Sequence, residues 1–238
     1  EVYVNAGSGF HSNDARGTTI RIDPKSGQAV EPVTPLVRTR GAEIGLRTTP
    51  VPRFHATAAV WGLDIASELL FVGDAGTTEA SRPSRRTGLE LAAEYRLTRW
   101  LSFDAEYAYS RARFHDENPA GDRIPGAIEG VASAGLNLVD LGRFSAELRY
   151  RYFGPRPLIE DDSVRSLASN LVNARIGYAL HPRLRVALDV FNVLDAEVSD
   201  IDYFYRSRLP GEGDAGSEDV HFHPVEKRSV RLGVTTTF

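Results

Sequence analysis

The sequence predicts an all-β protein, an antiparallel, up-and-down transmembrane β-barrel segment of about ten strands. Three observations predict it. Apolar and polar residues alternate with a period of two over long runs. The connections between these runs alternate between very short and very long. No stretch holds the ~18 consecutive apolar residues of a spanning helix, so a bilayer could be crossed only by strands.

Each run divides into two faces. Residues 40–47 set Ala42, Ile44 and Leu46 against Gly41, Glu43, Gly45 and Arg47. Residues 54–65 form a strand whose lipid face is not decided, because Trp61 and His55 share a parity. In 87–97, Leu89, Leu91, Ala93 and Tyr95 oppose Glu90, Ala92, Glu94 and Arg96. In 100–110, Leu101, Phe103, Ala105, Tyr107 and Tyr109 oppose Ser102, Asp104, Glu106 and Ser110. The split returns in 144–152, where Phe144, Ala146, Leu148, Tyr150 and Tyr152 oppose Ser145, Glu147, Arg149 and Arg151. In 183–194, Leu184, Val186, Leu188 and Val190 oppose Arg185, Ala187 and Asp189. The tail RSVRLGVTTTF (228–238) sets Val230, Leu232, Val234, Thr236 and Phe238 against Ser229, Arg231, Gly233, Thr235 and Thr237. Several runs approach the roughly 9 to 11 residues that cross a bilayer at a tilt.

The short connections are TTPVPR after Arg47, TR before Trp100, DLGR before Phe144 and HPR before Leu184. The long ones lie near 13–36, 74–84, 115–125, 154–165 and 196–225. One plain rim and one elaborate rim follow. A water-soluble β-sandwich would also alternate, but with shorter strands and no systematic order of loop lengths. Aromatic residues add a further sign. Phe54, Tyr95, Trp100, Phe144 and Tyr178 fall near short turns, and Tyr109, Tyr152, Phe153 and Phe191 toward long loops, as two interfacial girdles require.

Composition bounds the function. The 238 residues suit one domain, residues 1–238, and a net charge of -4 with a mean hydropathy of -0.27 gives no basis for binding nucleic acid. The absence of Cys removes disulfides and thiolate metal sites and leaves the redox compartment open. The N-terminus shows neither a signal peptide nor a methionine, so the chain reads as a piece of a longer one.

The candidate ligand contacts lie in long connections. DIDYFYRSRLPGEGDAGSED (200–219) places Tyr203, Phe204 and Tyr205 beside Arg206 and Arg208, a combination suited to organic ligands with anionic parts, or simply to packing the loop onto the barrel mouth. His11, Asn13, Asp14 and Arg16 line the mouth in a similar way or tie the first loop to its neighbours. DVHFHP (219–224) holds Asp219, His221 and His223 at alternate positions, which a metal could use with Glu218, although alternate residues of any strand share a face. Loop packing or ligand contact is the reading taken for both histidines, with no metal and no cofactor. No nucleophile elbow or phosphate loop is present, so no catalytic residue is assigned.

The stretches GSGFHSNDARG (7–17), RGAEIGLRT (40–48), RRTGLELAAEY (85–95) and LDVFNVLDAE (188–197), with the closing Phe238, resemble the C-terminal part of the barrel of TonB-dependent outer-membrane receptors. FNVLD resembles that family's asparagine-leucine-phenylalanine-aspartate run near the last hairpin. The resemblance implies a barrel of about 22 strands around an N-terminal plug. It implies a bacterial outer-membrane location in Gram-negative cells, and energy-coupled uptake of a scarce nutrient such as a metal-chelate complex. It also implies an energy-coupling protein reached through an N-terminal part that this segment lacks, together with the plug. The closing strand would lie beside the first, and Phe238 would be the signal read by the assembly machinery, with Thr236 departing from the apolar pattern beside it. An open sheet of about ten strands is not tolerated in lipid, so the segment closes on itself, pairs with another copy or is incomplete. The alternative is a complete small outer-membrane barrel acting as a passive pore or as a surface protease using carboxylate and His pairs.

Overall fold

The computed structural model describes residues 1–12, 15–22, 27–67, 69–72, 77–80, 82–211, 213 and 215–237. Phe238, Asn13 and Asp14, which figure in the expectations above, lie outside the described residues.

The first strand, β1 (Val2–Ser12), is followed by a short helix, α1 (Ala15–Thr19), and pairs with β2 (Leu36–Thr48). Strand β3 (Phe54–Ile65) pairs with β2 across a short turn. A small hairpin, β4 (Leu69–Val72) and β5 (Thr77–Ala80), then interrupts the connection to β6 (Ser84–Arg96). The wall continues through β7 (Leu101–Phe114), β8 (Gly130–Leu141), β9 (Phe144–Phe153), β10 (Ser169–His181) and β11 (Leu184–Phe191). A second hairpin, β12 (Ser199–Ser207) and β13 (Ser217–Pro224), stands before β14 (Ser229–Thr236).

Ten of these strands form one antiparallel sheet in the order β1-β2-β3-β6-β7-β8-β9-β10-β11-β14. The count of about ten is borne out. The sheet is open, with β1 and β14 as its edges among the described residues. The two hairpins extend from the long connections.

Register makes the two faces continuous across strands. One row runs Val4, Ile44, Val60, Leu89, Tyr109. Another runs Leu101, Leu138, Ala146, Ile176, Leu188, Leu232. These side chains are not a core: Val4 is 70% exposed, Ile176 56% and Leu232 68%. So broad an apolar surface is a liability in water and is what a lipid-facing wall requires. The opposite face is polar. There Asp104 shares a row with Gly135 and Arg149, and Glu147 with Arg175, Asp189 and Arg231. Arg149 pairs with Asp104, Asn137 Nδ2 donates to Asp104 Oδ1 at 2.7 Å, and Asp189 sits between Arg175 (3.5 Å) and Arg231 (3.4 Å).

The register resolves β3. Trp61 pairs with Glu43 and Gly88, so Trp61 and His55 lie on the polar face and Phe54, Ala58 and Val60 on the apolar one. Gly88 is what makes room, since a Cβ there would fall 2.4 Å from the Trp61 ring.

The aromatic girdles need one correction. At the short-turn rim Phe54 meets Tyr95 edge-on at 5.8 Å between centroids, and Phe144 meets Tyr178 at 4.7 Å. At the long-loop end Tyr109 and Tyr152 share the apolar face, but Phe153 pairs with Ser169 and Phe191 with Ser229 on the polar face. There each ring lies under a guanidinium, Arg151 at 5.3 Å and Arg231 at 4.9 Å, a contact that a lipid-facing ring could not make.

Candidate ligand-binding rim

The rim opposite the short turns is built by the five long connections, β1–β2, β3–β6, β7–β8, β9–β10 and β11–β14. Two of them, residues 115–129 and 154–168, form one body. Its apolar seat is Ala112, Phe114 and Ile124, all at most 5% exposed, with Ala127 packed against them. Backbone bonds stitch the two loops, from Arg123 N to Glu160 O at 3.0 Å and from Gly126 N to Pro157 O at 2.8 Å. At Gly121, with φ at +116°, a Cβ would fall 2.2 Å from Glu160 O, so glycine alone permits this approach.

Charge closes the same body. Glu129 accepts from Arg123 at 2.9 Å and from Arg165 at 2.6 Å, and Asp162 receives Arg123 at 2.8 Å and Arg165 at 2.5 Å. Arg82 lies over the Phe114 ring at 4.1 Å and reaches Glu160 at 2.8 Å, Gly121 O at 2.7 Å and Asp116 at 2.9 Å. Burial alone would raise the Glu129 carboxyl, but the hydrogen bonds from Arg165 and Arg123 prevail and hold it below the usual range.

The β12–β13 hairpin is pinned at two places. At its base, the FNVLD run places Asn192 at φ +49° and Asp195 at φ +52°, left-handed positions that these residue types tolerate. Asn192, 3% exposed, donates through Nδ2 to Ala196 O (3.0 Å) and Glu226 O (3.2 Å) and accepts from Ala196 N (2.9 Å). Asp195 accepts from Arg228 N at 2.8 Å, which holds its carboxyl below the ordinary value. Farther out, Arg156 Nη2 donates to Asp202 Oδ2 at 2.6 Å and to Asp200 O at 3.1 Å, joining the hairpin to the 154–168 loop.

The alternation of this hairpin sorts the predicted contact residues. Tyr203 pairs with His221, Tyr205 with Asp219 and Ile201 with His223, so Tyr203, Tyr205, His221 and His223 share one face. Tyr205 and His221 stack at 3.8 Å between centroids and 16° between planes. Phe204 and Arg206 point to the other face, where Arg206 pairs with Glu218 at 3.0 Å. The expected union of three aromatics with guanidinium is thus split by the strand: an aromatic-imidazole face on one side, a cation with its own counter-charge on the other. Arg208 lies just beyond β12. His11 is remote from that hairpin in sequence and sits on the polar side of β1, in register with Val37, and Arg16 lies in α1. Among the described residues no group of three or more His, Asp or Glu side chains is arranged to hold a metal ion.

Sequence reasoning missed the Glu129 cluster and the Arg156–Asp202 pair. The signal was present only as Arg and Asp/Glu density in two loops, and nothing in a linear reading joins residues 156 and 202.

A family model for the TonB dependent receptor-like β-barrel matches residues 1–193. Solved structures similar over the whole chain include the ferric-catecholate import receptor Fiu from K12 E. coli (TM-score 0.72, 19% identity) and the ferric yersiniabactin uptake receptor FyuA from Yersinia pestis (0.74, 19%). The copper transporter OprC is similar at a TM-score of 0.73 and 19% identity. All of this chain is covered, against 33%, 35% and 37% of those chains, so it spans about a third of their length. At such identities the likeness concerns the fold. No curated protein matches the sequence.

Proposed function

Because the chain belongs to the TonB-dependent receptor β-barrel family, whose members are outer-membrane receptors and transporters and not enzymes, we propose that it supplies wall and rim to an energy-coupled uptake receptor for a scarce nutrient. The cargo class we favour is a metal-chelate complex, the class named for similar structures such as the ferric-catecholate and ferric yersiniabactin receptors. In this reading the plug and the segment that meets the energy-coupling protein lie outside these 238 residues.

One observation carries the proposal: the wall is two-faced over ten strands, and its elaborate rim is fixed as a body that holds out an aromatic-imidazole face. Flat rings of Tyr203, Tyr205 and His221 match planar aryl or heteroaryl groups of a chelate by stacking and hydrogen bonding. The braced rim favours a binding role over a plain pore, and the family match over residues 1–193 favours a receptor segment over a complete small barrel.

The test is uptake by cells producing the full-length receptor, using isotope-labelled ferric-catecholate, ferric-citrate and copper complexes, with the inner membrane energised or uncoupled. Energy-dependent accumulation of one complex, reduced by Tyr203→Ala together with His221→Ala at unchanged receptor abundance, is expected. Accumulation that is indifferent to energy would instead describe a pore.

A further inference from the structure

On four neighbouring strands the apolar face of the wall gives way to charge at its long-loop end. Going outward on that face, Ile44 and Ala42 of β2 are followed by Arg40 and Arg38, and Val60 and Gly62 of β3 by Asp64. On β6 Leu89 and Thr87 are followed by Arg85, and on β7 Tyr109 is followed by Arg111. Register sets these residues side by side: Arg40 lies opposite Asp64, Asp64 opposite Arg85, and Arg111 opposite Thr87. The next strands differ. The same face reaches its long-loop end with Gly130 on β8, Tyr152 on β9 and Asn170 on β10.

Charge there is unbalanced. Arg38, Arg40, Arg85 and Arg111 are exposed, and Asp64, to which Arg85 Nε donates at 2.7 Å, is the one carboxylate on this face of the four strands among the described residues. Arg38, Arg40 and Arg111 form no ion pair among the described residues. In the adjoining 115–129 loop Asp116 pairs with Arg82, Asp122 with Arg113 and Glu129 with Arg123, which leaves Glu117 as its unpaired acid. Depth is fixed by the opposite rim. The Phe54–Tyr95 pair marks the inner edge of the apolar band, and Asp64 lies ten residues beyond Phe54 and Arg85 ten beyond Tyr95. At ~3.3 Å per residue and a tilt of ~40° that is about 25 Å, the height of the apolar band in such barrels. Below the charges a shallow apolar depression crosses the same four strands, lined by Leu46, Ala56, Ala58, Leu91, Ala93 and Ala105. Leu91 lies six residues below Arg85, ~20 Å along the strand, which is the reach of a long acyl chain.

We propose that Arg38, Arg40, Arg85 and Arg111 bind the phosphorylated headgroup of an outer-leaflet glycolipid, with its acyl chains laid into the depression on β2, β3, β6 and β7. The long loops of outer-membrane barrels face outward, so this end of the wall meets the outer leaflet. A guanidinium just past the last apolar residue keeps its stem over the hydrocarbon edge and turns its planar fork toward phosphate oxygens. Arg40 and Arg85 flank Asp64 two strands apart, ~10 Å, and Arg111 lies diagonally from Arg85. Three guanidiniums so spaced suit a headgroup that carries more than one phosphate, and a headgroup with a single phosphate would leave part of the patch unmatched. Asp64 holds Arg85 in place and reduces the patch by one charge, so the site remains cationic. The inference rests on the lipid-facing wall and is independent of the cargo.

The experiment titrates the full-length receptor, folded in mild detergent, with bisphosphorylated lipid A and counts bound lipid by native mass spectrometry. The wild type is expected to hold lipid A more tightly than the same lipid stripped of its phosphates. Arg40→Gln with Arg111→Gln is expected to weaken lipid A binding about tenfold or more, and Arg40→Lys with Arg111→Lys to keep most of it. If the double Gln variant does not fold, Arg40→Gln and Arg111→Gln singly are each expected to lose part of the affinity. Unchanged binding in the Gln variants, or equal binding of the stripped lipid, would overturn the proposal. An equal loss from Arg183→Gln with Arg185→Gln at the short-turn end would make bulk charge the cause and overturn it as well. Displacement of lipid A by phosphatidylglycerol at equal phosphate would reassign the patch to any anionic lipid, and displacement by free inorganic phosphate to a small anion; either result also defeats it.

Discussion

Arg156 and Asp202 lie 46 positions apart and meet at 2.6 Å with side chains 9% and 7% exposed. This pair is the charged link between the 154–168 loop and the β12–β13 hairpin. Asp202 also accepts from Ser199 Oγ at 2.5 Å, so both carboxylate oxygens are engaged. A buried pair adds little net stability, but loss of one partner strands a charge. Asp202→Asn is therefore expected to weaken hairpin docking by about 3 to 5 kcal/mol. Hydrogen exchange of the reconstituted full-length receptor should show residues 199–224 losing protection while β9 and β10 keep theirs. Equal protection in wild type and variant would show that the pair does not hold the hairpin.

The Glu129 cluster makes a prediction in pH. Because the folded carboxyl lies below its unfolded value of 4.5, its contribution is fully present above that value and is lost as pH falls through the depressed folded value. The 115–129 and 154–168 loops should stay resistant to protease from neutral pH down to the ordinary glutamate range and loosen only below it. Glu129→Gln should remove that dependence and leave the loops looser throughout, with Arg123 and Arg165 short of a counter-charge. Loosening that began near neutral pH would assign the behaviour to another group.

The faces of β11 can be tested by exchange of character. Leu188 pairs with Leu232 and Ile176 on the apolar face, while Arg185 lies on the polar face opposite Ala179 and Thr235. Leu188→Arg should cost on the order of 2 to 4 kcal/mol near the bilayer midplane, and Arg185→Leu much less. Denaturant titration of the receptor refolded in bilayers measures both, and equal costs would argue against a lipid-facing Leu188.

The wall was legible because its rule is local. Period two assigns Leu89 and Glu90 to opposite faces whatever their partners, and register then carries Leu188 opposite Leu232. Strands β1, β8 and β10 did not stand out. Gly7, Gly9 and Gly41 flatten the contrast of β1 and its partner, the apolar face of β8 opens with the small Ala132 and Ala134, and Leu171 of β10 lies on the polar face. For β3 the difficulty was Trp61, a large apolar ring on the polar side that only Gly88 of the neighbouring strand admits. The rim was legible in composition and not in arrangement. Tyr203 and Tyr205 could be named as one stripe of an extended segment, but separating them from Arg206 required knowing that 199–207 is a strand. The contacts that brace the rim join residues tens of positions apart, which no periodicity encodes.

Two glycines with left-handed backbones separate the effect of backbone strain from that of close approach. Gly142, φ +65°, turns β8 into β9 at the plain rim, and a Cβ there meets nothing within 4 Å. Gly121, φ +116°, would bring a Cβ to 2.2 Å from Glu160 O and 2.6 Å from Asp161 N. Gly142→Ala should therefore carry only the left-handed penalty of about 1 to 2 kcal/mol, and Gly142→Asn less, since Asn tolerates that region. Gly121→Ala must also push the two loops apart, which adds roughly 1 to 3 kcal/mol and breaks the register of Arg123 N on Glu160 O. Binding of the transported complex should fall in the Gly121 variant and stay unchanged in the Gly142 variant, with both receptors inserted to the wild-type level. Binding measured on whole cells beside the heat-modifiable fraction decides the matter, and an unaffected Gly121→Ala receptor would show that cargo capture does not depend on the joined loops.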